Sequence, residues 1–518
     1  MSQQQSKKQL LKQNFSSGLV VFLIALPLCL GIAVASGAPS LSGILSGILG
    51  GILIGTLSSS HISVSGPAAG LATIVLNAIT ELGSFELFLC AGIVAGIAQL
   101  LLGIIKAGSL TNYIPIAVIE GMLAGIGIMI ILKQIPYAFG NENYPDFMNI
   151  STIEIHLGSL IIALISLFVM IGWDYVPRLR NIKLLPSALI AVIVSIIINN
   201  IFVYIGSPLA IPADQLVQIP TPHTLLEAEN LIRFPDFSGF LNSIVWVTGI
   251  TIAIVASVET LLSIEASDRL DKHRRITDTN KELRVQGIGN IVAALVGALP
   301  LTSVIIRSSA NANAGATHKT SAIFHGILFL VCALTIPSLL NQIPLASLAT
   351  ILLIIGYKLT RLSVYIRYWK KGIYQFIPFV ATVFAVVFFD LLKGVGLGLV
   401  ISLVFILYGN MKRSYYLSRE ELADADQIVL ELGEEVSFLN KAALKKTLKN
   451  IQPNSKITID AEKAIYIASD ILELLEDFTN VYAQENNIQV KLRGFKYDYE
   501  NQEGISHTNI RVEHRSAI

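Results

Sequence analysis

Apolar residues fill this chain in long blocks, and polar residues collect in the stretches between them. Fourteen such blocks can be separated, and since a membrane crossing needs about 20 apolar residues, we interpret them as membrane spans. The first seven cover about 18–36, 41–58, 66–80, 85–105, 114–133, 156–173 and 184–205. The second seven cover about 243–266, 285–299, 303–315, 320–335, 343–357, 374–391 and 393–409.

The charges between the spans indicate which side of the membrane each connection faces. Lys7, Lys8 and Lys12 precede span one, so the positive-inside rule places the N-terminus in the cytoplasm. The connections after spans six, eight and twelve should then be cytoplasmic, and all three are basic. Residues 134–155 should be external and contain Glu142, Asp146 and Glu154 but no Lys or Arg. Because each half has an odd number of spans, the halves enter from opposite sides, as inverted repeats do. The basic residues of the three connections are Arg178, Arg180, Lys183, Arg269, Lys272, Arg274, Arg275, Lys281, Arg284, Lys358, Arg361, Arg367, Lys370 and Lys371.

Spans three and ten are interrupted, and each is the third span of its half. SHISVSGPAAG at 60–70 meets Gly66-Pro67 before turning helical, and GALPLTSVIIRSSAN at 297–311 has Pro300 before Thr302-Ser303. A Gly/Pro break at membrane depth is tolerated only where the backbone is buried in protein or lines a cavity. Two such breaks at corresponding positions indicate the substrate site of a transporter. The sequence therefore predicts a secondary transporter.

Composition agrees with this class and excludes others. Hydrophobic residues make up 53% of the 518 residues and charged residues only 14%, against about a quarter in soluble domains. The net charge of +1 excludes a broad basic surface for nucleic acid. No catalytic constellation or cofactor motif is found, so the chain is not expected to be an enzyme. Cys29, Cys90 and Cys332 lie in apolar runs and are interpreted as packing residues.

Span two carries a regular stripe of glycines, Gly43, Gly47, Gly51 and Gly55. Small residues spaced by four let helix backbones approach closely in lipid. We interpret the stripe as a packing face.

The composition changes after residue 410, which divides the chain into segments. Residues 1–17 form a cytoplasmic N-terminal segment, and 18–410 the transmembrane domain, with repeats at about 18–205 and 243–410. Residues 411–426 are interpreted as a linker, 427–500 as a small domain and 501–518 as a C-terminal tail. QIVLEL (427–432), KITID (456–460) and IQVKL (488–492) are predicted strands, with helices at about 438–450 and 469–486 between them. This order predicts a compact α/β unit.

Five motifs resemble the SulP family of inorganic anion transporters, and the resemblance covers nearly the whole chain. In the small domain, IYIASDILELLEDF (465–478) is similar to the STAS domain of that family. Ala468-Ser469-Asp470 departs there from the Asp-Ser-Ser type of sequence that is phosphorylated in some soluble relatives. The five motifs are ALPLCLGIAVASG (25–37), SVSGPAAG (63–70), SVETLLSIEASDRL (257–270), NKELRVQGIGN (280–290) and LPLTSVIIRSSANANAG (299–315).

The resemblance implies an α-helical membrane protein of fourteen transmembrane segments, arranged as 7+7 inverted repeats with a core and a gate domain. The small cytoplasmic α/β domain would be STAS-like, and the protein a homodimer. The implied function is transport of bicarbonate or sulfate across the bacterial inner membrane by alternating access, with both termini cytoplasmic. The expected partners are the inorganic anion and the lipid bilayer.

The two interrupted spans suggest how an anion would be held. If their N-termini face each other near the membrane centre, the backbone dipoles alone supply on the order of +1. Short side chains there would let an oxyanion reach the backbone N–H groups. The predicted anion-binding residues are Ser65, Ala68, Ala69, Ser303, Val304 and Arg307, with Leu28 and Ile32 as a wall on span one.

Glu259 and Arg307 are ionisable residues inside spans, so each needs a partner or a function. When Glu259 is ionised, the two helix ends and Arg307 leave the pocket a net charge of roughly +1, which suits bicarbonate. When Glu259 is protonated, the net charge is roughly +2, which suits sulfate or proton-coupled uptake. In the family an acidic residue of span eight sometimes helps bind sodium, which implies a coupling role for Glu259 and Ser263. The coupling ion is H⁺ or Na⁺, and sodium would lie near Glu259, Ser263 and Ser303, although Ile305 stands where some sodium-coupled members have Thr.

Three alternatives remain open from the sequence. Glu259 and Arg307 could form an ion pair that only joins two helices. The chain could be an anion channel of the same fold, which a continuous polar pore would favour. It could also be a nucleobase-type organic transporter, although such pockets generally need acidic or amide groups to bind ring edges.

Overall fold

A computed structural model describes residues 2–109, 114–141, 155–176, 186–220, 232–389, 391–413, 415–422 and 425–496. The described residues form two compact units, the first from 1–370 and 379–398 and the second from 371–378 and 399–518. The basic residues at 178–183, the acidic residues at 142–154 and the tail at 501–518 lie outside the described ranges.

Fourteen helices among the described residues correspond one to one to the predicted spans and are numbered α1 to α14. Two shorter helices, Pro337–Leu340 and Leu362–Lys370, are left unnumbered. The first seven are α1 (Ser2–Ala35), α2 (Ser40–Leu57, π-helical at Gly50–Ile54), α3 (Ala69–Leu82), α4 (Phe85–Ile104), α5 (Ile116–Ala138), α6 (Leu157–Tyr175) and α7 (Ser187–Ile205). The second seven are α8 (Ser243–Leu270), α9 (Thr279–Leu295), α10 (Ile305–Asn313), α11 (Thr320–Thr335), α12 (Leu345–Leu359), α13 (Ile373–Phe388) and α14 (Leu391–Arg413).

Helix length and composition support a multi-pass membrane protein. Within the described ranges, seven helices have the length and hydropathy to cross a membrane, and five shorter apolar helices accompany them. At 1.5 Å per residue, α3 and α10 are about 21 Å and about 14 Å long, short of the hydrocarbon core of about 30 Å. Both interrupted segments are therefore shorter than a full span, as predicted, and are called half-helices below, while their ending near the membrane centre stays a prediction. The number of helices that cross the membrane stays a prediction.

Two short strands lie among the helices, β1 (Ser65–Pro67) before α3 and β2 (Leu301–Ser303) before α10. Much of the helix packing falls into two groups, which α1 connects by also packing on α12. In one, α4 lies against α8 and α9, and α1 packs on α2 and α11, with β1 against α2 and β2 against α8. In the other, α5 and α6 pack on α12, and α6 packs on α7. The strands belong to the first group.

The glycine stripe of α2 is a packing face, as predicted. A Cβ at Gly51 would lie 2.5 Å from Cα of Gly326 in α11, and one at Gly43 would lie 2.2 Å from the carbonyl oxygen of Cys29 in α1. The three cysteines are buried and free, which agrees with a packing role.

The second unit contains a small α/β arrangement. Its elements are β3 (Tyr415–Leu422), β4 (Ala425–Leu432), β5 (Glu435–Val436), α15 (Lys441–Lys449), β6 (Lys456–Asp460), β7 (Tyr466–Ile467), α16 (Ser469–Asp477) and β8 (Gln489–Arg493). Four of the strands form a mixed sheet in the order β3-β4-β6-β8, in which β4, β6 and β8 are parallel and β3 pairs antiparallel with β4. The sheet and the two helices share one apolar core, to which Leu430, Ile459 and Ile471 belong.

All five elements predicted for the small domain are present. The difference lies in the predicted linker 411–426, because α14 continues to Arg413 and residues 415–422 form the edge strand β3. Its sequence, YYLSREEL, is largely polar, so hydrophobic alternation gives little indication of a strand.

Replacing Gly51 with Ala should lower the midpoint of thermal unfolding of the purified protein. The added methyl group meets the backbone of α11, and overpacking of this kind costs about 1 to 3 kcal/mol. Gly172→Ala is the matched control, because a Cβ at Gly172 on α6 meets nothing within 4 Å. Equal midpoints for the two variants would contradict a close contact between α2 and α11.

Candidate functional site

The two interrupted segments meet directly through their strands. Strands β1 and β2 pair antiparallel, with Ser65 opposite Ser303 and Pro67 opposite Leu301. Since each strand leads into its own half-helix, α3 and α10 start at opposite ends of a three-residue ladder. The ladder thus brings together the backbone around all the predicted binding residues of these segments.

Neither half-helix start is capped by a side chain. The N-cap residues, Ala68 for α3 and Val304 for α10, make no side-chain capping bond, and neither first turn contains an acidic residue. By contrast, Ser84, Asn242 and Asp278 cap α4, α8 and α9 with side-chain oxygens. An uncapped helix start carries unpaired N–H groups and a partial positive charge, which favour a bound anion.

Helix α8 touches both interrupted segments through adjacent residues. Oγ1 of Thr260 accepts a hydrogen bond from the backbone N–H of Ser303 at 3.3 Å. The Glu259 carboxylate lies against the first turn of α3, since a Cβ at Gly70 would be 3.1 Å and 3.2 Å from its two oxygens. Oε2 of Glu259 is buried and has no hydrogen-bond partner among the described residues. An acidic side chain thus faces the positive end of a half-helix.

Arg307 is fully buried beside the strand pair. Its Nη2 donates to the carbonyl oxygen of Pro67 at 3.4 Å, next to the start of α3. The backbone at Gly66 lies close against the guanidinium, because a Cβ there would be 1.9 Å from Nη1 and the Arg307 side chain would have to shift. Within the described residues Nε and Nη1 have no hydrogen-bond partner, and no ion pair joins Arg307 to Glu259. The ion-pair alternative therefore has no support in this arrangement.

Polar side chains that were not predicted hold the strands in place. Asn290 of α9 bonds both backbone groups of Leu301, through Oδ1 at 2.5 Å and Nδ2 at 3.1 Å. Asn311 of α10 donates to the carbonyl oxygen of Ile62 at 2.8 Å, and Oγ of Ser308 accepts from the N–H of Val64 at 3.0 Å. These side chains could have been predicted from the sequence, because they are polar residues that recur within otherwise apolar segments.

A second set of buried side chains reaches Ser65 from α9. Nε2 of Gln286 donates to Oγ of Ser65 at 2.8 Å and to Oε1 of Glu282 at 3.2 Å. Oε2 of Glu282 accepts from Oγ of Ser58 at 2.7 Å. Because Ser65 accepts the bond from Gln286, its own hydroxyl hydrogen is left to donate elsewhere. On β2, the Ser303 hydroxyl bonds that of Ser63 at 2.6 Å.

The remaining predicted residues lie in the surrounding helices. Leu28 and Ile32 are buried in α1, which contacts β1, α3 and α10, and Ser263 is buried one turn beyond Glu259 in α8. Their parts in binding or coupling stay predictions, as does a sodium site near Glu259, Ser263 and Ser303.

Comparison with known proteins gives one family. A family model described as the sulfate permease family matches residues 11–382. The chain is 29% identical over 415 residues to the putative sulfate transporter YvdB of Bacillus subtilis, covering 77% of this chain and 74% of that protein. It is 24% identical over 454 residues to the bicarbonate transporter BicA of Picosynechococcus, covering 83% and 76%.

Solved structures share the fold. The transmembrane domain of a cyanobacterium bicarbonate transporter BicA matches with a TM-score of 0.65 at 22% identity, covering 74% of this chain and 97% of that one. The murine Solute Carrier 26 family member A9 anion transporter, in its inward-facing state, matches with a TM-score of 0.73 at 17% identity, covering 95% and 86%.

Replacing Thr260 with Val should destabilise the ladder, whereas Thr260→Ser should not. Valine keeps the shape but removes the acceptor for the buried Ser303 N–H, and an unsatisfied buried donor costs about 1 to 3 kcal/mol. Thermal unfolding of the purified variants measures the difference. A valine variant as stable as the serine variant would show that the bond at 3.3 Å contributes nothing to stability.

Proposed function

The chain belongs to the sulfate permease family, a family of membrane transporters, and we propose that it is a secondary active transporter of a small inorganic anion, bicarbonate or sulfate. The anion binds between the N-termini of α3 and α10, and alternating access, by an elevator or rocking motion, exposes this site to each side of the membrane in turn.

The pairing of two uncapped half-helix starts carries the proposal. Backbone N–H groups at Ala69 and Ile305 begin helices whose N-caps supply no competing acceptor. Ser65, Ala68 and Ser303 have short side chains, so an oxyanion can approach the backbone. A tetrahedral or planar oxyanion offers several acceptors, and converging N–H groups can bind more than one of them.

The names of the relatives support both substrates. YvdB is described as a putative sulfate transporter and BicA as a bicarbonate transporter, at similar identities to this chain. The charge around the site does not separate them, because the protonation of Glu259 changes the net charge by one. We therefore propose a small inorganic oxyanion as the substrate, and the uptake experiment below distinguishes bicarbonate from sulfate.

Glu259 is proposed as the coupling residue. Its carboxylate lies against the first turn of α3, so its charge acts on the helix end that would hold the anion. Protonation of Glu259, or a sodium ion bound to it with Ser263 and Ser303, would make the site more positive. Cation binding and anion binding would then favour each other.

The same proposal includes location and assembly. The protein would lie in the bacterial inner membrane as a homodimer, with both termini in the cytoplasm, as the basic residues in the first turns of α1 and after α8 favour. The STAS-like domain would serve regulation or assembly of the dimer.

Uptake into proteoliposomes tests the function. Labelled bicarbonate and labelled sulfate are supplied separately, each with and without a sodium gradient and a proton gradient. We expect accumulation of one of them above its equilibrium level when the correct cation gradient is present. Flux that only follows the anion's own gradient, at rates insensitive to either cation, would favour the channel alternative.

Glu259→Gln should reduce gradient-driven uptake by about tenfold or more, equivalent to about 1.4 kcal/mol. The neutral amide keeps the shape but cannot change charge, while the helix starts and Arg307 remain to bind the anion. Glu265→Gln is the matched control, because Glu265 is an exposed residue of the same helix that pairs with Arg269. Cation-dependent uptake by a stable Glu259→Gln protein, at the control rate, would exclude Glu259 from coupling.

Arg307→Ala should instead raise the anion concentration needed for half-maximal uptake. The variant removes one positive charge near the start of α3, so anion binding weakens even where coupling is intact. Half-maximal uptake at the wild-type concentration, with unchanged thermal stability, would show that Arg307 does not act on the anion.

A further inference from the structure

Two histidines meet where connections of the first packing group come together. His61 lies in the α2–β1 connection (58–64) and His318 in the α10–α11 connection (314–319), and their ring centroids are 5.9 Å apart. Both residues are partly buried. An even number of predicted spans separates each connection from the N-terminus, so both would lie on the cytoplasmic side. One connection leads into the first interrupted segment and the other leaves the second, so a change at this pair can reach both.

Two cations lie beside the pair. Arg275, in the α8–α9 connection, donates through Nε and Nη2 to the Asp271 carboxylate at 2.6 Å and 3.0 Å, and Nη2 also donates to the carbonyl oxygen of Thr317 at 2.8 Å. Nζ of Lys319 donates to the carbonyl oxygen of Thr56 at 2.7 Å. Arg275 is thus already paired with a carboxylate, while Lys319 bonds a neutral group. A proton on either histidine therefore adds positive charge to a region that is positive without it.

The other charged side chains of this region are hydrogen-bonded or exposed. Asp268 accepts from the Thr277 hydroxyl at 2.7 Å, and Glu282 accepts from the Ser58 hydroxyl at 2.7 Å. Exposed charges are screened by salt, so they act on the pair more weakly than partly buried ones do. The exposed titratable groups on these elements include Lys12, Glu265, Arg269, Lys272, His273, Arg274, Asp278 and Lys281.

Hydrogen bonding favours the neutral form of His318. Its Nδ1 accepts from the backbone N–H of Thr320, the first residue of α11, at 3.3 Å. A proton at Nδ1 would remove this acceptor and place a positive charge at a helix N-terminus, where the macrodipole disfavours it. Nδ1 of His61 is buried and has no hydrogen-bond partner in the described ranges, so a proton there would gain no acceptor from these residues.

Burial also favours the neutral rings. It lowers the pKa of His61 below the ordinary value for histidine, and Arg275 and His318 lower it further, while Asp271 opposes them without reversing the shift. Burial likewise lowers the pKa of His318, with Lys319 and Arg275 adding to the effect. Both rings are therefore neutral at neutral pH and take up protons only in a more acidic cytoplasm.

The residues that follow His61 hold the interrupted segments together. The carbonyl oxygen of Ile62 accepts from Nδ2 of Asn311 in α10 at 2.8 Å. The next residue, Ser63, bonds the Ser303 hydroxyl of β2 at 2.6 Å. Movement of His61 away from His318 would therefore pull on the contacts that fix β1 against β2 and α10.

We propose that His61 and His318 form a proton-sensitive latch on the cytoplasmic side of the transmembrane domain. With both rings neutral, the latch is closed and the 58–64 connection supports β1. In an acidic cytoplasm the protonated rings repel each other and the neighbouring Arg275 and Lys319, so the latch opens. Opening loosens the strand ladder and slows anion transport. This control of transport rests on the proposed function, whereas the opening of the latch does not.

Hydrogen exchange tests the latch without relying on transport. Exchange of the backbone amides of 58–64 and 314–319 is measured on the full chain in nanodiscs at about pH 7.5 and about pH 5.5. The double variant His61→Phe with His318→Asn cannot be protonated, yet it keeps a ring at one position and an acceptor for the Thr320 N–H at the other. Variant and wild type are compared at the same pH, so the chemical pH dependence of exchange cancels. At about pH 5.5 the wild type should exchange about tenfold faster than the double variant, and at about pH 7.5 equally fast.

His273→Asn is the matched control, because His273 is an exposed histidine of the α8–α9 connection. It should exchange like the wild type at both pH values. Equal rates for the wild type and the double variant at about pH 5.5 would overturn the latch, and so would an equal slowing in His273→Asn. A pair that only packs predicts faster exchange in the double variant at both pH values. If the double variant does not fold, His61→Phe alone must still exchange more slowly than the wild type at the acidic pH.

Uptake then links the latch to transport. Proteoliposomes with the same pH on both sides take up labelled sulfate or bicarbonate down the anion's own gradient. The double variant should be several-fold faster than the wild type at about pH 5.5 and equally fast at about pH 7.5. Equal rates at both pH values would show that the latch does not control transport and would overturn the proposal. If the wild type transports neither anion, the proposed function fails, while the exchange rates still decide whether acid opens the latch.

Discussion

Backbone that leaves helical geometry between the helices of a membrane protein must find hydrogen-bond partners inside the protein, because lipid supplies none. This chain leaves helical geometry twice in its first packing group, at β1 and at β2, and each strand is the partner of the other. Neither three-residue strand could satisfy its backbone alone. The two sequence halves of the transmembrane domain are therefore joined where each departs from helical geometry.

The surrounding polar residues form hydrogen bonds with backbone groups that the ladder leaves unpaired. Three side-chain oxygens accept hydrogen bonds from backbone N–H groups in or next to the strands. Asn290 accepts from Leu301, Thr260 accepts from Ser303, and Ser308 accepts from Val64. These acceptors lie beside the strands, and no side chain caps the N-terminus of either half-helix. The unpaired backbone donors are therefore concentrated at two helix starts, and the proposed anion site would not depend on a convergent set of ionised side chains.

The two interrupted segments could be predicted from the sequence because the residues that mark them lie close together in the chain. Gly66-Pro67 and Pro300 interrupt apolar runs, and equal rank in the two halves is visible by counting spans. The register of the ladder was not predictable, since three residues show no periodicity. Arg307 was predicted to be an unusual buried charge, but its place against Gly66 depends on a close approach between two segments far apart in the sequence.

A transporter must also release its substrate, and this constrains how the positive charge is supplied. A guanidinium or ammonium group free to form a bidentate or direct ion pair with an oxyanion would bind it tightly in a low-dielectric site. Helix starts carry only about half a charge each and are fixed by the backbone, so in the proposed site they would attract the anion without forming a direct ion pair with it. Arg307 is fully buried beside the strand pair, where one of its nitrogens donates to the carbonyl group of Pro67, so in the proposed site it would add positive charge from a fixed position. Binding that depends on fixed partial charges in this way would be selective for the sign of the charge and still readily reversible.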